Sequence, residues 1–564
     1  MRRAGLCLLL VLLVPSWAEA YETLQMVRPI ATGVAGTGLD SHNRVYRAYQ
    51  GITYTIHADA RGGHWPYTYR LSNAPTGMTI SAGPCSGDTL VTCTAGEITW
   101  TNPQATASDV VVTVRDADGN EVSGTWSVTV SITAPGTDGF CFIDSALGND
   151  TTGSGTLASP WATLGKAKTD CGQYSILYLR TGTYTTPTVA ADGNCGGGGR
   201  ATWREDVTDS NRGPVIWIGY PSETVTVDWR SDGGTVTPCI LLQGSNVWVE
   251  NFRMDNVGSI GFQLGRNSQY GVVIRHITGV ELLDAEDSDN SGYFMWPIQT
   301  DIQSYFDTVQ LSSFDNIHGD GAGSDGGCAL KVYSVEDGIF ETTSFLNTGP
   351  ANAFTEAMLA LKNIIPHWTV RANYCDANVK TCIGGNMNNN DTGSNRTNGE
   401  VYHNLCLGSG ATDIEGCLTL HRGADNAMGV VYVYRNTFLG KVVFEESDVS
   451  VSGSPAPSGA GAAGPYYFND NVILNASNEG GGCPERIDCR DNTPTLSPDW
   501  TRLVMDADNV LGANDGTKAN ATTGVLVGTT RMASLGIAGY ELASTTSSVT
   551  TSGGVRMSGG VKVY

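Results

Sequence analysis

Three places in the sequence carry an acidic residue six positions before a basic one, each time around a short apolar run. The pairs are Asp325 and Lys331 in SDGGCALKVY, Glu356 and Lys362 in TEAMLALKNI, and Glu415 and His421 in IEGCLTLHRG. Lysine and histidine can take up or deliver a proton, and carboxylates are preferred ligands of Ca²⁺. The spacing therefore suggests acid–base chemistry beside a bound cation, provided that the fold brings the three places together.

The apolar runs indicate which elements hold these residues. In CALK, LALK and LTLH the alternation is typical of β-strands with one face inward, and positions six apart share a face. We expect an outer acidic column of Asp325, Glu356 and Glu415, and a basic column of Lys331, Lys362, Asn386 (in KTCIGGN) and His421, with Arg422 beside it. The Cα atoms of Lys331 and Lys362 should lie about 4.8 Å apart on adjacent strands. Outward charges also solvate a surface at little cost, and this simpler explanation stays open.

An internal repeat of about 31 residues predicts how such strands stack. The repeated segments are VWVENF, VVIRHI, VQLSSF, FETTSF, WTVRANY, EVYHNL, VYVYRNT and YYFNDNV. Each places a polar residue after an alternating run, at Asn251, His276, Ser313, Ser344, Asn373, Asn404, Asn436 and Asn471. Asparagine tolerates the left-handed backbone region, and stacked amides can hydrogen-bond from coil to coil. The repeat predicts an all-β solenoid with an asparagine ladder.

The start of the solenoid carries a resemblance to a known fold. The segment CFIDSALGNDTTGSGTLASPWATLGKAK, with a helical patch at residues 161–168, precedes the buried strand in YSILYLRTGTYT. An amphipathic cap of this kind covers the open end of a solenoid. The passage resembles the opening of secreted right-handed parallel β-helix proteins of the pectin-lyase-like group. The resemblance implies a right-handed parallel β-helix.

An earlier segment reads as a separate all-β module. Residues 43–133 hold short alternating runs such as GEITW and DVVVTV, separated by turns such as NAPTGM and DADGNE. The pattern resembles the Ig-like, cadherin-like modules of secreted bacterial proteins, which implies a small β-sandwich used as a spacer or binder. DADGN, residues 116–120, has the composition of a calcium loop, but a polar hairpin turn is the favoured interpretation.

Targeting and composition place the protein outside the cytoplasm. Arg2 and Arg3, an apolar run at residues 6–14 and Ala18-Glu19-Ala20 have the pattern of a cleaved secretory signal peptide. No later segment is long and apolar enough to cross a bilayer. The predicted divisions are 1–20 signal peptide, 21–42 N-terminal segment, 43–133 β-sandwich, 134–139 linker, 140–540 β-helix with its cap, and 541–564 low-complexity tail. The predicted location is secreted or cell-surface, with the periplasm open.

The net charge limits the classes of molecule that the protein can bind. A formal net charge of −23 and a pI near 4.6 argue against nucleic acid. An extracellular anionic polysaccharide would need a local basic patch or bound Ca²⁺ to offset the global repulsion. The sequence indicates no oligomeric state.

The cysteines fit an oxidising compartment. The expected disulfide pairs are Cys85–Cys93, Cys141–Cys171, Cys195–Cys239, Cys375–Cys382, Cys406–Cys417 and Cys483–Cys489. With Cys7 in the signal peptide, Cys328 is left over as a buried thiol.

A further resemblance reaches the candidate site. EAMLALK followed by VRANYCDA, and GCLTLHRGADN with YRNTFLG, resemble coils of the alginate lyase and chondroitinase B group. The resemblance implies Lys362 as a base, Glu356 as a calcium ligand and His421–Arg422 as a later basic pair. The pair reads His-Arg-Gly here and Arg-His-Gly in that group, and residues 375–415 add a coil.

The residues thus favour a polysaccharide lyase that cleaves a uronic-acid polymer by β-elimination. Lys362 or Lys331, with its pKa depressed by the neighbouring charge, would take the proton α to the uronate carboxylate. Arg422, or Ca²⁺ held by Asp325, Glu356 and Glu415, would offset the carboxylate charge, and His421 would protonate the leaving oxygen. The predicted substrate contacts are Asn386, Tyr333 and Trp296, whereas Trp368 is expected to be packed in the repeat.

Two other functions stay open. Carboxylates on stacked coils, with Asp320, Asp325 and Glu356 as the candidates, could act as the acid and nucleophile of a glycoside hydrolase. A non-catalytic adhesive protein could instead display its β-helix at the cell surface. Only a lyase would generate new C=C bonds in a uronic-acid polymer.

Overall fold

The computed structural model describes an N-terminal β-sandwich and a long stack of parallel strands. It covers residues 22–34, 39–85, 93–185, 200–206, 214–229, 238–257, 260–264, 269–282, 293–296, 304–305, 307–317, 328–333, 335–346, 358–362, 367–375, 381–386, 399–406, 416–422, 430–438, 440–446, 466–469, 471–474, 487–491, 503–505 and 510–512. The predicted signal peptide and C-terminal tail lie outside these residues. No helix in the described part of the chain is long and apolar enough to span a membrane.

The sandwich consists of two mainly antiparallel sheets and a short two-stranded pair. Its strands are β1 (Gln25–Arg28), β2 (Arg47–Tyr49), β3 (Tyr54–His57), β4 (Asp59–Arg61), β5 (Thr68–Ser72), β6 (Met78–Ile80), β7 (Glu97–Trp100), β8 (Ala107–Arg115) and β9 (Glu121–Ser131), with a 3-10 turn at Arg44–Tyr46. The sheet orders are β2-β9-β8-β5 and β3-β7-β6, and β1 pairs with β4. In β9 only every second residue is buried along Gly124, Trp126 and Val128. This alternation is typical of a strand with one face on a core.

The loop between β8 and β9 is a hairpin turn, as the sequence favoured. Asp116 is buried, and its carboxylate accepts bonds from the backbone N–H of Asn120 at 2.7 Å, the Asn120 amide at 2.8 Å and the backbone N–H of His64 at 3.2 Å. Burial acts to raise the pKa of this carboxyl, but these donors hold it below its ordinary value. The carboxylate oxygens are therefore occupied by the turn itself.

The second part is a parallel β-helix, which confirms the predicted fold class. It opens with β10 (Phe140–Ile143), the capping helix α1 (Leu164–Asp170), β11 (Ile176–Leu179) and β12 (Gly182–Thr185). Thr163 caps α1, because its hydroxyl accepts the N–H of Lys166 at 3.1 Å. Leu164 and Ala167 are buried, so the apolar side of this helix faces the core.

Two long parallel sheets form the walls of the coils. The first contains, after β10–β12, the strands β14 (Ile216–Gly219), β15 (Val225–Asp228), β17 (Trp248–Val257), β20 (Val273–Leu282), β23 (Thr308–Gln310), β24 (Ser313–Ile317), β27 (Ile339–Glu341), β28 (Ser344–Phe345), β30 (Trp368–Arg371), β31 (Tyr374–Cys375), β33 (Gly399–Tyr402), β34 (Leu405–Cys406), β36 (Val431–Tyr434), β37 (Thr437–Phe438), β39 (Tyr466–Asn469), β40 (Val472–Leu474), β42 (Leu503–Met505) and β43 (Val510–Gly512).

The second long sheet, called sheet G here, stacks one strand per coil. Its strands are β13 (Arg200–Asp206), β16 (Pro238–Gln243), β18 (Ile260–Leu264), β21 (Tyr293–Trp296), β25 (Cys328–Tyr333), β29 (Leu359–Lys362), β32 (Thr381–Asn386), β35 (Gly416–Arg422), β38 (Val442–Glu446) and β41 (Ile487–Asp491). A small third sheet contains β19 (Gln269–Tyr270), β22 (Ser304–Tyr305) and β26 (Val335–Glu336). Trp368 is buried in the stack, as predicted.

The predicted asparagine ladder is present over four coils. The amides of Asn373, Asn404 and Asn436 each donate at 3.0 Å to the amide oxygen of the next asparagine, ending at Asn471. That oxygen also accepts the preceding asparagine's backbone N–H at 3.0 Å. The ladder satisfies buried polar groups at a corner where no strand pairing is available.

Two details of the predicted ladder were wrong. The left-handed residue precedes each asparagine: Ala372, His403 and Arg435 all have φ of 54°. In the earlier coils Asn251 and His276 occupy this left-handed position, and Thr343, rather than Ser344, bonds to Asn373. Each of these predicted positions is off by one residue. The sequence alone does not show whether the polar residue or the residue before it adopts the left-handed turn.

Four of the predicted disulfides are present. Their Cα separations are 5.7 Å for Cys85–Cys93, 6.0 Å for Cys141–Cys171, 5.9 Å for Cys375–Cys382 and 5.5 Å for Cys406–Cys417. Cys239 is also disulfide-bonded, while Cys195 and Cys483 lie outside the described residues. The Cys328 side chain also lies outside the described part, so its predicted state stays a prediction.

The sandwich lies on the first long sheet and buries a polar column there. Strand register aligns Glu250, Arg275, Gln310, Glu341, Arg371, Tyr402 and Tyr434, and all seven are buried. We call this set the covered column. Arg371 donates to the Ala60 carbonyl at 2.9 Å, and Arg275 lies 3.0 Å from the Glu97 carboxylate, so sandwich groups bind both arginines of the column. The two parts of the molecule are joined by buried polar contacts.

Candidate functional site

The candidate site lies at the carboxyl ends of the sheet G strands. Register along six successive strands aligns Tyr333, Lys362, Asn386, His421, Glu445 and Arg490. We call this set the groove column. Lys362, Asn386 and His421 stand in the order that the sequence predicted, with Arg422 one position further along its strand. At the usual strand spacing the column extends about 24 Å.

Lys331 does not belong to the groove column, which corrects one prediction. Its register partner is Ala360, whereas Lys362 is opposite Tyr333. Lys331 was expected on the outer surface beside Lys362, but only 4% of it is exposed. The alternation has a period of two, so a shift of two residues leaves the same inward and outward pattern and cannot be read from the sequence. The aligned CALK and LALK segments therefore suggested a register that the strands do not adopt.

Sequence reasoning missed the far end of the groove column. Glu445 is the register partner of His421, and Arg490 is the partner of Glu445. One position further, Arg422, Glu446 and Asp491 align in the same way. The signal was present, because VVFEE and IDCRD also place charged residues at the end of an apolar stretch. The repeat of about 31 residues is defined by the ladder strands and does not include this second strand of each coil.

The acidic column stays a prediction. Asp325, Glu356 and Glu415, together with Asp320, lie outside the described residues. Trp296 directly follows Met295, the register partner of Leu330, and therefore falls in the column of Lys331 rather than that of Lys362. Of the aromatic residues predicted to contact a substrate, only Tyr333 aligns with the groove column.

A polar cleft of about 230 Å³ lies between the sandwich and the β-helix. Its lining includes Arg44 and Glu97 from the sandwich and Glu250 and His276 from the β-helix. His276 Nε2 lies 2.8 Å from the Glu97 carboxylate. Burial acts to raise the pKa of Glu97, but the hydrogen bond from His276 and the charge of Arg275 bring it below its ordinary value. Glu97 is therefore a fixed anion that ties the two parts together.

Glu400 is the acid most displaced from its ordinary behaviour among the described residues. It lies on β33 and is 4% exposed, and its Oε1 has no hydrogen-bond partner among the described residues. Burial and then the nearby Glu22 carboxylate raise its pKa to about 8. A carboxyl of this kind is neutral at pH 7 and can donate a hydrogen bond.

One comparison with known proteins concerns the N-terminal β-sandwich. Residues 38–132 match the sequence model of the family described as "Putative Ig domain". This agrees with the Ig-like resemblance of the sandwich. No curated protein matched the chain.

Solved structures similar to this chain include three polysaccharide lyases. A pectate lyase is 11% identical with a TM-score of 0.35, over 68% of this chain and 82% of its own. A rhamnogalacturonan lyase is 12% identical with a TM-score of 0.38, over 66% and 87%. An alginate lyase from Paenibacillus sp. strain FPU-7 is 12% identical with a TM-score of 0.24, over 57% and 92%. At these values the likeness concerns the fold and assigns no activity.

Proposed function

We propose that the chain is a secreted carbohydrate-active protein, and that the groove column is the active site of a polysaccharide lyase. The substrate would be a uronic-acid polymer cleaved by β-elimination. The observation that supports the proposal most is the strand register, which aligns a lysine, an amide and a histidine on three successive strands, with an arginine next to the histidine. These are the groups that abstraction of a proton α to a carboxylate requires.

The proposed reaction assigns one role to each residue of the column. Lys362, as the free amine, takes the proton α to the uronate carboxylate, and the electron pair left on that carbon forms the C=C bond. The bond from the β-carbon to the glycosidic oxygen breaks, and His421 delivers a proton to that oxygen. Arg422 stabilises the negative charge that develops on the carboxylate. Asn386, between base and acid in the register, would bind sugar hydroxyls, and Tyr333 would stack on a neighbouring ring.

A calcium ion is a further proposal and has no part in these steps. Its ligands would be Asp325, Glu356 and Glu415, all outside the described residues. Hard oxygen ligands suit Ca²⁺, and the ion would supply positive charge beside the uronate. We expect a chelator to reduce turnover if this assignment holds, and Glu356→Gln to reduce the calcium dependence.

The test is a screen of the purified protein against a panel of uronic-acid polymers for absorbance of new C=C bonds. Lys362→Ala should lower turnover about 100- to 10,000-fold, the usual contribution of positioned proton transfer. Lys441→Ala is the matched control, since Lys441 immediately precedes β38 of the same sheet and lies outside the column. The control should retain turnover.

Two outcomes would overturn the proposal. Equal turnover by wild type and Lys362→Ala, at matched thermal stability, would remove Lys362 from the reaction. Failure of wild type to form unsaturated product from any polymer would remove the lyase activity altogether. Hydrolysis with new reducing ends would then favour a glycoside hydrolase, and binding without cleavage would favour an adhesive protein.

A further inference from the structure

Four buried side chains meet where the sandwich covers the β-helix. His57 and Asp59 come from the sandwich, and Gln310 and Glu341 come from adjacent strands of the covered column. None is more than 6% exposed. His57 Nδ1 lies 2.8 Å from Asp59 Oδ1 and 4.0 Å from Glu341 Oε1. We call these four residues the junction cluster.

The orientation of the Gln310 amide decides what this cluster can hold. With its oxygen directed into the cluster, the amide oxygen faces only acceptors and the nitrogen only donors; turned over, the nitrogen donates to Glu341 Oε1, Asp59 Oδ1 and His57 Nδ1. The terminal atom directed into the cluster lies 3.0 Å from Glu341 Oε1, 3.3 Å from Asp59 Oδ1 and 3.2 Å from His57 Nδ1. An amide oxygen among three acceptors is repelled by all of them unless a positive charge lies between them.

The contacts of His57 determine which of its ring nitrogens carries a hydrogen. His57 Nε2 lies 2.8 Å from the carbonyl oxygen of Ala95, and a carbonyl can only accept, so Nε2 carries the hydrogen. In a neutral imidazole Nδ1 is then a lone pair, and it faces the Asp59 carboxylate. With His57 in that form and the Gln310 oxygen directed inward, one nitrogen and three oxygens present lone pairs to the same point, and the ligand atoms of His57, Asp59 and Glu341 all lie within 4.8 Å of one another.

Each carboxylate of the cluster is also bound by an arginine through its outer oxygen. Asp59 Oδ2 accepts from Arg28 Nε at 2.7 Å, and Glu341 Oε2 accepts from Arg371 Nε at 2.6 Å. These contacts leave the other oxygen of each carboxylate directed into the cluster. Outer contacts of this kind orient the ligands of metal sites.

We propose that the junction cluster binds one divalent transition-metal ion through His57 Nδ1, Asp59 Oδ1, Gln310 Oε1 and Glu341 Oε1. In an octahedral site with ligands about 2.1 Å from the ion, neighbouring ligands lie roughly 3.0 Å apart and opposite ligands roughly 4.2 Å apart. The distances within the cluster run from 2.8 to 4.0 Å. One imidazole with three oxygens suits Zn²⁺ or Mn²⁺ better than Ca²⁺, which takes six to eight oxygens. Because each part supplies two ligands, the ion links the sandwich to the β-helix.

The charges around the cluster set the expected affinity. Arg28 and Arg371 already balance the two carboxylates, so a divalent ion adds charge to a neutral group. Binding should therefore be weaker than at structural zinc sites made of thiolates. The competing arrangement uses protons, with His57 doubly protonated and the Gln310 amide turned to donate to Glu341. That arrangement binds no metal.

The experiment uses the full chain, stripped with a chelator, dialysed and titrated with Zn²⁺. We expect about one Zn²⁺ bound per chain by elemental analysis, and a higher unfolding midpoint as the ion saturates the folded state. His57→Gln should lose both effects. His42→Gln is the matched control, because His42 is a sandwich histidine outside the cluster that pairs with Asp138.

Gln310→Glu separates the two arrangements. It adds an anionic ligand, so a metal site should bind Zn²⁺ at least as tightly, and Zn²⁺ should restore any stability lost. A proton-bridged cluster would lose a donor and show no rescue. Wild type that binds no more Zn²⁺ than His57→Gln, with an unchanged midpoint, would overturn the proposal. If the variants fail to fold, anomalous scattering from zinc-soaked wild-type crystals decides by the presence or absence of a peak among the four residues.

Discussion

At the scale of single residues, Glu400 gives the clearest pH dependence. Its pKa is about 8 in the folded protein and near 4.5 when unfolded, so the folded state holds a proton that the unfolded state releases between these values. The free energy of unfolding contributed by this group is therefore highest below pH 4.5 and falls as the pH rises towards 8.

Glu400→Gln should remove this loss of stability with rising pH. The variant keeps the shape of a neutral carboxyl, so we expect its unfolding free energy at pH 7 to exceed that of wild type by up to about 3 kcal/mol. Near pH 4 the two proteins should be equally stable. Urea unfolding at both pH values measures the difference, and a gap that does not grow with pH would show that Glu400 is ionised in the fold.

At the scale of elements, the asparagine ladder should contribute more to the free energy of unfolding than the buried area of its side chains alone would suggest. Asn404→Ala removes the amide that donates to Val370 O at 2.9 Å and leaves the Asn373 N–H without its acceptor. Unpaired buried groups cost about 1–3 kcal/mol each, so a loss of roughly 2–4 kcal/mol is expected. Asn469→Ala, half-buried on β39, should change stability by less than about 0.5 kcal/mol. Equal losses of stability in the two variants would mean that the ladder does not stabilise the fold.

The elements also show what the sequence could and could not predict. Apolar alternation and the repeat predicted the solenoid. Close cysteine spacing predicted three of the four described disulfides, and the position of the cap predicted Cys141–Cys171. The same alternation left the register of β25 and β29 open by two residues, which misplaced Lys331. It also gave no sign of the covered column, because an arginine such as Arg275 looks exposed until a second part of the chain is known to cover it. Packing between parts distant in the chain leaves little trace in local patterns.

At the scale of the whole molecule, the sandwich and the β-helix should unfold together. Arg275 is fully buried and lies 3.0 Å from Glu97 of the sandwich and 3.8 Å from Glu250 of the β-helix. Arg275→Met would remove the buried cation that lies beside both carboxylates, and breaking such a pair typically costs about 3–5 kcal/mol. We expect calorimetry to show one transition in wild type and an earlier loss of the sandwich in the variant.

The control for this interface is an exposed ion pair within the sandwich. Arg70 lies 2.8 Å from Glu121, with 62% and 43% of the two side chains exposed. Arg70→Met should lower stability by no more than about 1 kcal/mol, the usual limit for an exposed pair. A similar loss in both variants would argue that the interface does not couple the two parts.

The covered column has a consequence for how the protein is made. The sandwich precedes the β-helix in the chain, so during synthesis its surface is complete before strands β17 to β36 emerge. Each new coil then meets a preformed partner for its buried Glu, Arg or Tyr, and the folded sandwich serves as a template for the solenoid. A β-helix synthesised without residues 22–133 would expose the charged and aromatic side chains of this column along one wall, and supplying the sandwich as a separate chain should restore its solubility.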